Sequence, residues 1–417
     1  MPLAVRSPYL NAWTTLNNGA TNWPTFWSTA ELGWVGLIRV DNVTYGWLEG
    51  GGNPNGELLA TLRNVQVTPT RTIVQMVAGP VDFNVTFLSP IEPNDPVKQS
   101  FPFTYISIIV ESNDKARHEV QLYSDITTEW LSGDRSVKAD WNTTATNSIV
   151  YHESFLSSPR SLFERSDQAT DGTLYFAAML ASSTTHVTGL ANETRGQFIF
   201  TGHLPFILNT QGPSLITHAD GDRDVLAISM DLGSVLSATP PTVWALGLLR
   251  DPVVQGITAS GNANMRSPVW RTQASIQEAW TLIQKFLGDY TAAMQRAEAF
   301  DVSLATQTSA HSSLLVDLVS LAARQVMAST ELTVSADAES LNTTDVRMYM
   351  KNVGTTASSG KMNSVGELYS AYPFFLTVNT SYGAWLLQPI LEYASSPSWT
   401  EMYAPGDLGL LIYATLS

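Results

Sequence analysis

The sequence predicts a β-sandwich domain followed by a helical domain, because short strands fill its first part and helical periodicity its second. Its length of 417 residues suggests two or three domains. With 44% hydrophobic and 14% charged residues, the chain can bury sizeable cores. We therefore predict an N-terminal β-sandwich over 1–268 and a helical domain over 269–417.

The predicted strands follow one another with turn residues between them. Trp34–Val40 is one strand, and Thr72–Ala78 forms a hairpin with Val81–Leu88. Every other residue of the second hairpin strand is apolar, namely Val81, Phe83, Val85 and Phe87. Further strands are predicted at 104–110, 118–124, 148–152, 173–180, 196–200, 225–230 and 242–249. Strands at this spacing without helices between them indicate a large antiparallel β-sandwich.

Helical periodicity begins after the Gly-, Asn- and Ser-rich segment 256–270, which indicates a linker. A first helix is predicted from apolar residues at steps of four and three, at Ile276, Trp280, Ile283, Leu287, Tyr290 and Met294. A second helix is predicted from Leu315, Leu318, Ala322 and Val326. The capping-box spacing of Ser364 and Glu367 starts a third helix, and Trp385–Tyr393 is a fourth.

The composition excludes several classes of function. A formal net charge of −15 without any basic run argues against nucleic-acid partners and anionic membranes. The absence of cysteine excludes disulfides, thiolate metal sites and cysteine nucleophiles. No apolar run reaches membrane-spanning length, and the six histidines lack metal-ligand spacing. Because no nucleotide-binding or hydrolase signature occurs either, we predict no cofactor and no metal.

Candidate catalytic residues lie between Arg347 and Gly409, where short polar turns separate apolar helical pieces. Four carboxylates of the helical part are placed near the ends of predicted helices, namely Glu331 and Asp345 before this region and Glu367 and Asp407 within it. A pair of carboxylates in a cleft can serve as acid and base in hydrolysis, although each could instead cap a helix or pair with a nearby cation. We take Asp407, Glu367 and Lys351 as the catalytic candidates, with Asp407 first because it follows Pro405-Gly406 in a turn.

An unusually aromatic segment over residues 7–34 supplies the candidate substrate-binding residues. Trp23 and Trp27 are predicted to bind substrate, since indoles stack on flat apolar faces, and Asp345 is added to this group. The alternative is an N-terminal segment packed over a sheet or between domains. Ser358–Lys361 matches the S-x-x-K motif of serine hydrolases, but it lies in a loop and we interpret it as a coincidence.

Six Asn-X-Ser/Thr sequons favour a secretory origin, because they are acceptors for N-glycosylation. They are Asn42, Asn84, Asn142, Asn192, Asn342 and Asn379. The N-terminal residues lack the apolar region of a signal peptide, so intracellular retention of the chain stays open.

Several long motifs in one order resemble the fungal glutaminase A-like family. They are Ser7–Trp13, Trp23–Trp27, Phe87–Pro93, Ser132–Arg135 and the region Lys351–Asp407. The resemblance implies a β-supersandwich followed by an α/α toroid of six helical hairpins. It also implies hydrolysis of L-glutamine to L-glutamate and ammonia by secreted or cell-wall-associated enzymes, and it transfers no catalytic set.

The chain departs from the family pattern near its end. Gly406 stands where family members carry histidine in a His-Asp-Leu-Gly motif. The resemblance also leads us to expect truncation at both ends, an incomplete toroid over 269–417 and poor or absent activity.

Three functional hypotheses stay open. The first is a glutaminase, in which Ser, Thr or carboxylate-activated water must attack because cysteine is absent. The second is a glycoside hydrolase, and the third is a non-catalytic product. The expected partner is a small-molecule substrate, glutamine, or a glycan, and the sequence does not indicate an oligomeric state.

Overall fold

A nine-stranded antiparallel sheet forms the centre of the N-terminal part. The computed structural model describes residues 1–17, 20–48, 56–205, 209–217, 222–310, 312–336, 340–354 and 360–409. In spatial order the nine strands are Ser214–Leu215, Lys138–Ala145, Ile149–Leu156, Thr173–Met179, Thr242–Leu249, Phe103–Ser112, Val81–Leu88, Arg71–Ala78 and Thr61–Val67.

A six-stranded sheet packs against it to form the sandwich. Its strands in spatial order are Thr184–Leu190, Asp224–Val235, His118–Thr127, Trp34–Val40, Val43–Leu48 and Leu58–Leu59, of which the last pairs in parallel and the others antiparallel. Trp34 of this sheet meets Phe87 of the nine-stranded sheet edge-on, with ring centroids 5.5 Å apart. Both side chains are almost fully buried, so aromatic packing closes the space between the two sheets.

Two helices from the second half of the chain cover the other face of the nine-stranded sheet. The α-helices of the described chain are α1 Pro96–Ser100, α2 Ala191–Thr201, α3 Ala279–Gly288, α4 Tyr290–Ser309, α5 Ser313–Ala328, α6 Val365–Val378 and α7 Thr380–Ser395. Tyr105 stacks on Phe286 of α3 with ring centroids 3.8 Å apart. The Tyr290 hydroxyl of α4 donates to Ser107 Oγ at 2.8 Å. Tyr105 and Ser107 belong to the strand Phe103–Ser112, and Ile106 and Ile108 of the same strand face the sandwich core. The strand Phe103–Ser112 is therefore buried on both faces.

Smaller sheets connect these layers. A four-stranded sheet contains Val254–Ile257, Ala263–Pro268, Thr330–Ala336 and Leu341–Met350, and α7 packs on its last strand. The N-terminus forms a three-stranded sheet of Pro2–Val5, Asn11–Trp13 and Thr25–Phe26. Two-stranded ribbons join Leu16–Asn17 to Ala20–Thr21 and Glu164–Arg165 to Gln168–Ala169, and short 3-10 helices lie at Thr128–Leu131, Val269–Thr272 and Ile276–Glu278.

The predicted order of a β-sandwich followed by a helical part is confirmed. The two hairpin strands pair in continuous register, from Arg71 opposite Leu88 to Ala78 opposite Val81. The four apolar residues that alternate along the second strand, from Val81 to Phe87, are all buried. The third predicted helix also begins where expected, since α6 starts directly after Ser364, although the Ser364 side chain makes no capping hydrogen bond.

The strand predicted at 196–200 is wrong, because this segment belongs to α2. Period-2 alternation would bury Phe198 and Phe200 together, but only Phe198 is buried and Phe200 is 79% exposed. The buried residues of the helix are Ala191, Thr194 and Phe198, which recur at helical spacing. Gly202, at φ 77°, ends the helix by donating its N–H to the carbonyl oxygen of Phe198.

The linker predicted at 256–270 is also wrong. Its residues form the strands Val254–Ile257 and Ala263–Pro268, and the second pairs with Thr330–Ala336. The polar composition that indicated a linker belongs to the turn between these strands and to an exposed sheet face. Since the four-stranded sheet takes strands from both sides of residue 268, the division into 1–268 and 269–417 stays a prediction.

The predicted apolar stripes of the first two helices are only partly right. The first predicted helix is two helices, α3 and α4, which meet at Asp289, and Trp280 is 43% exposed. In α5 the buried residues are Ser320, Ala323, Arg324, Met327 and Ala328, whereas Leu318 is 65% exposed. On the buried face, the Arg324 guanidinium donates a hydrogen bond to the Thr70 carbonyl oxygen.

No helix in the described ranges has the length and apolar character needed to cross a membrane.

Candidate functional site

An open cleft of about 610 Å³ lies between the N-terminal aromatic segment and the C-terminal helices. Three parts of the chain line it: residues 11–13 and 25–29 of the aromatic segment, the last turns of α5, and residues 350–354 together with the start of α6. A volume of this size suits a small organic ligand. The cleft holds two of the six predicted site residues, Trp27 and Glu367.

Residues 351–354 are held in place by backbone hydrogen bonds to residues 360–362, which precede α6. Lys351 forms an antiparallel bridge with Met362. The Asn352 N–H donates to the Lys361 carbonyl at 2.8 Å, and the Gly360 N–H donates to the Asn352 carbonyl at 2.8 Å. These bonds bring residues 351–354 beside the first turn of α6.

Asn352 and Glu367 form the polar pair of the cleft. Asn352 Nδ2 donates to Glu367 Oε1 at 3.2 Å, and the Gly354 N–H donates to Asn352 Oδ1 at 3.0 Å. The second bond fixes which end of the amide faces the carboxylate. Asn352 is buried, while Glu367 stands at the exposed rim, so a fixed amide orients a carboxylate that solvent and ligand can reach.

Lys351 lies behind this pair in a buried salt bridge. Its ammonium is 2.6 Å from Glu164 Oε1, and the Tyr9 hydroxyl donates to the same oxygen. The ammonium also lies 4.8 Å from the Tyr9 ring centroid and 5.4 Å from that of Trp27. Burial lowers the pKa of Lys351 and Glu164 opposes this effect. The Lys351 ammonium therefore contacts Trp27, which lines the cleft, from the protein interior.

A second buried pair continues from Tyr9. The Arg250 guanidinium lies 4.4 Å from the Tyr9 ring centroid and 2.6 Å from Asp171 Oδ1. Its Nη1 has no hydrogen-bond partner among the described residues. Burial raises the pKa of the nearby Glu331 to about 7, an effect that Asp171 adds to and the Arg250 charge opposes. This charged layer lies under the cleft and does not line it.

Side-chain hydrogen bonds orient the aromatic wall of the cleft. Trp13 Nε1 donates to Asn11 Oδ1 at 2.5 Å, and Asn11 Nδ2 donates to the Ala328 carbonyl at 3.1 Å. Trp27 Nε1 donates to the Pro8 carbonyl at 3.1 Å. The two indoles are thus positioned before any ligand binds.

Comparison with protein families identifies both halves of the chain. The model described as domain of unknown function DUF5127 matches residues 70–307, more than half of the chain. The model described as glutaminase A six helical-hairpin domain matches residues 312–413. The chain belongs to the glutaminase A-like family.

Two curated fungal proteins extend this assignment of the glutaminase A-like chain. It is 32% identical to Glutaminase A of Aspergillus oryzae over 98% of its own length and 58% of that relative. It is 27% identical to a probable glutaminase of Arthroderma benhamiae over 98% of its length and 48% of that relative. The chain therefore spans about half the length of these relatives.

A solved structure of a presumed kojibiose phosphorylase from the human microbiome is similar over 73% of this chain and 35% of its own. Its identity of 7% and TM-score of 0.38 are too low to support an argument about function.

The other predicted site residues of the glutaminase A-like chain lie outside the lining of the cleft. Asp407 is half-buried, with its Oδ2 2.8 Å from the Lys361 ammonium and its Oδ1 accepting the Gly409 N–H. Trp23 packs beside two guanidinium groups. Its ring centroid lies 5.8 Å from the guanidinium carbon of Arg195 and 5.7 Å from that of Arg223. No hydrogen bond or ion pair joins Asp407 to Glu367 or Lys351 in the described structure.

Asp345 lies within the strand Leu341–Met350 and not near a helix end, so this part of the prediction is wrong. Glu331 is near a helix end as predicted, three residues after α5, although it already belongs to the strand Thr330–Ala336. The Asp345 carboxylate forms salt bridges with Arg266 at 2.6 Å and Arg347 at 2.7 Å, and Arg347 also pairs with Glu392. Although burial opposes them, a hydrogen bond from Ser335 and the two guanidinium charges lower the pKa of Asp345. The roles predicted for Asp407, Trp23 and Asp345 stay predictions, and Ser358 of the S-x-x-K match lies outside the described residues.

Sequence reasoning missed Asn352, Glu164 and Asn11. Asn352 stands one position after a candidate residue, and its amide carried no motif. Glu164 is 187 positions from Lys351 along the chain, so no spacing rule could have joined them. Within the described ranges, no group of three or more His, Asp or Glu side chains could hold a metal ion.

Proposed function

We propose that this chain is a glutaminase-like amidohydrolase that converts L-glutamine to L-glutamate and ammonia in the cleft beside Glu367. The observation that carries the proposal is the 32% identity to Glutaminase A over 98% of the chain. Since the chain spans 58% of that relative, the activity and substrate of the whole relative reach this chain only as a proposal. The weak activity expected from the sequence stays a prediction.

Glu367 is the proposed general base. Its carboxylate takes a proton from a water molecule whose oxygen attacks the side-chain amide carbon of glutamine. The carbon–nitrogen bond then breaks, and the same proton passes from Glu367 to the departing nitrogen, which leaves as ammonia. Asn352 supports this role because its Nδ2–H bond at 3.2 Å to Glu367 Oε1 leaves the other carboxylate oxygen for water.

The aromatic wall would position the substrate. Trp13 and Trp27 line the cleft on the side facing the start of α6, with indole nitrogens already bonded to the protein. Their ring faces can pack on the methylene groups of glutamine and attract its α-ammonium group. Lys351 would act indirectly, by holding the Trp27 ring from behind.

A carbohydrate-active hydrolase is the second candidate. The observation in its favour is that two indoles and one carboxylate line the same open cleft, since sugar rings stack on indole faces. A glycosidase needs two carboxylates on opposite sides of the bond, and Glu367 is the one carboxylate among the described lining residues. This favours the amidohydrolase.

A substrate panel distinguishes the two candidates. The chain is incubated with L-glutamine, L-asparagine and aryl glycosides, and release of ammonia or aryl alcohol is followed at several pH values. We expect ammonia from L-glutamine, less from L-asparagine, and no aryl alcohol. Release of aryl alcohol without ammonia would reject the glutaminase proposal in favour of a glycosidase. A chain that processes none of them would support a non-catalytic product.

A further inference from the structure

We infer that a second cavity, on the surface of the sandwich, binds small organic anions. It has a volume of about 390 Å³, within the range of small-molecule sites. Three basic residues line it, namely Lys138, Arg160 and Arg165, and no carboxylate is among its described lining residues. In a chain with a formal net charge of −15, such a concentration of positive charge is a local exception.

Two of these cations are available to a ligand. Arg160 and Lys138 are exposed, and neither side chain has a hydrogen bond or an ion pair in the described part of the chain. Only Arg165 is paired, with its Nη1 2.8 Å from Asp134 Oδ2. Another carboxylate of this region, Asp171, is occupied by Arg250 at 2.6 Å. The charges of Lys138 and Arg160 therefore line the cavity without a carboxylate partner.

The walls favour an organic anion over an inorganic ion. The Arg160 guanidinium carbon lies 3.9 Å from the Phe163 ring centroid, which places a flat cation against an aromatic face. Val137 and Leu156 add apolar surface, and Ser157 and Ser158 add exposed hydroxyl groups. A ligand with one anionic group and one flat apolar part can contact both kinds of wall. Carboxylates, sulfonates and phosphate esters share this chemistry.

The cavity is separate from the cleft beside Glu367, since the two share no lining residue. They lie on either side of one short ribbon, because Glu164 binds Lys351 while its neighbours Phe163 and Arg165 line the cavity. The inference does not depend on what the cleft does.

Isothermal titration with benzoate, benzenesulfonate and phenyl phosphate tests the inference, with uncharged benzamide as the comparison ligand. We expect at least one anion to bind, with an affinity that falls as salt rises, and benzamide to bind at least about tenfold more weakly. The anion that binds most tightly identifies the charged group that the cavity prefers.

The variant Lys138→Gln/Arg160→Gln locates the binding. Removal of each cation should weaken anion binding by about tenfold, so the double variant should bind the anion about a hundredfold more weakly than wild type. Lys115→Gln/Arg117→Gln is the matched control, since it removes the same charge from an exposed turn. The control variant should bind the anion with an affinity within about twofold of that of wild type. Absence of anion binding near 10 mM, equal binding of benzamide, or equal losses in both variants would overturn the inference.

Discussion

The Lys351 ammonium lies 2.6 Å from the Glu164 carboxylate, in a salt bridge between residues 187 positions apart. Lys351 is fully buried and Glu164 is 14% exposed, so neither charge is well hydrated. The pair attaches the segment that carries Asn352 to the two-stranded ribbon of Glu164–Arg165 and Gln168–Ala169. The shape of the cleft therefore depends on a contact between the two halves of the chain.

A double-mutant cycle on this pair should show strong coupling. Lys351→Met leaves the carboxylate of Glu164 without its cation, and we expect it to lower the free energy of unfolding by about 3–5 kcal/mol. Adding Glu164→Gln should restore part of this loss, because the uncompensated charge is then removed. Urea unfolding of the wild type, both single variants and the double variant measures the coupling. Additive effects within about 0.5 kcal/mol would contradict a direct interaction.

Glu331 should make the folded chain less stable as pH rises. Its pKa is raised to about 7 from an ordinary value of 4.5, so the folded state holds the proton more tightly than the unfolded state. The penalty for ionising the buried carboxyl is absent below pH 4.5 and complete above about pH 7. It amounts to about 3 kcal/mol at most.

Glu331→Gln removes this penalty. The variant should therefore gain stability relative to wild type between pH 5 and pH 8, as measured by unfolding at both pH values. Glu401→Gln, at an exposed position, is the control and should show no such gain. A pH-independent difference between Glu331→Gln and wild type would show that Glu331 ionises normally.

Asp407→Asn tests the first of the catalytic candidates predicted from the sequence. Because Asp407 pairs with Lys361 outside the cleft lining, we expect kcat/KM to stay within about threefold of wild type. The loss in stability should be about 1 kcal/mol or less, since the Lys361 side chain is 41% exposed. A fall of about a hundredfold in kcat/KM at unchanged stability would instead support a catalytic role for Asp407.

Glycan mapping tests the six sequons. Five of the asparagines are exposed, and we expect them to accept glycans when the chain is expressed through a secretory pathway: Asn42, Asn84, Asn142, Asn192 and Asn342. Asn379 is half-buried, and its Nδ2 donates to the Pro93 carbonyl at 2.7 Å, so we expect it to be unmodified in folded protein. Mass spectrometry of glycopeptides gives the occupancy. A fully glycosylated Asn379 in folded material would contradict this account.

Local patterns predicted the sandwich well, because its strands carry their own signal. The alternation from Val81 to Phe87 predicts one buried face, and the structure buries all four apolar residues. The signal fails where a segment is short or exposed. Phe198 and Phe200 have strand spacing, yet only Phe198 packs in the core, against Tyr123 with ring centroids 5.0 Å apart.

The candidate site was predictable only in part. Glu367 was found because it stands at the start of a helix, and Trp27 because it belongs to an aromatic segment. The contacts that organise them, Asn352 with Glu367 and Lys351 with Glu164, depend on how distant segments meet. No periodicity or motif encodes such a meeting, so tertiary structure was needed.

Ammonia release from L-glutamine by wild type, Glu367→Gln and Glu401→Gln tests the central claim most directly. Turnover is expected to be slow, so the assay compares long incubations with enzyme-free blanks. We predict ammonia release by wild type, at least about a hundredfold less by Glu367→Gln, and no loss in the exposed control Glu401→Gln. All three proteins should unfold at similar temperatures, because the Glu367 side chain is exposed. Glu367→Gln that releases ammonia as fast as wild type would contradict the proposal that this cleft performs the hydrolysis.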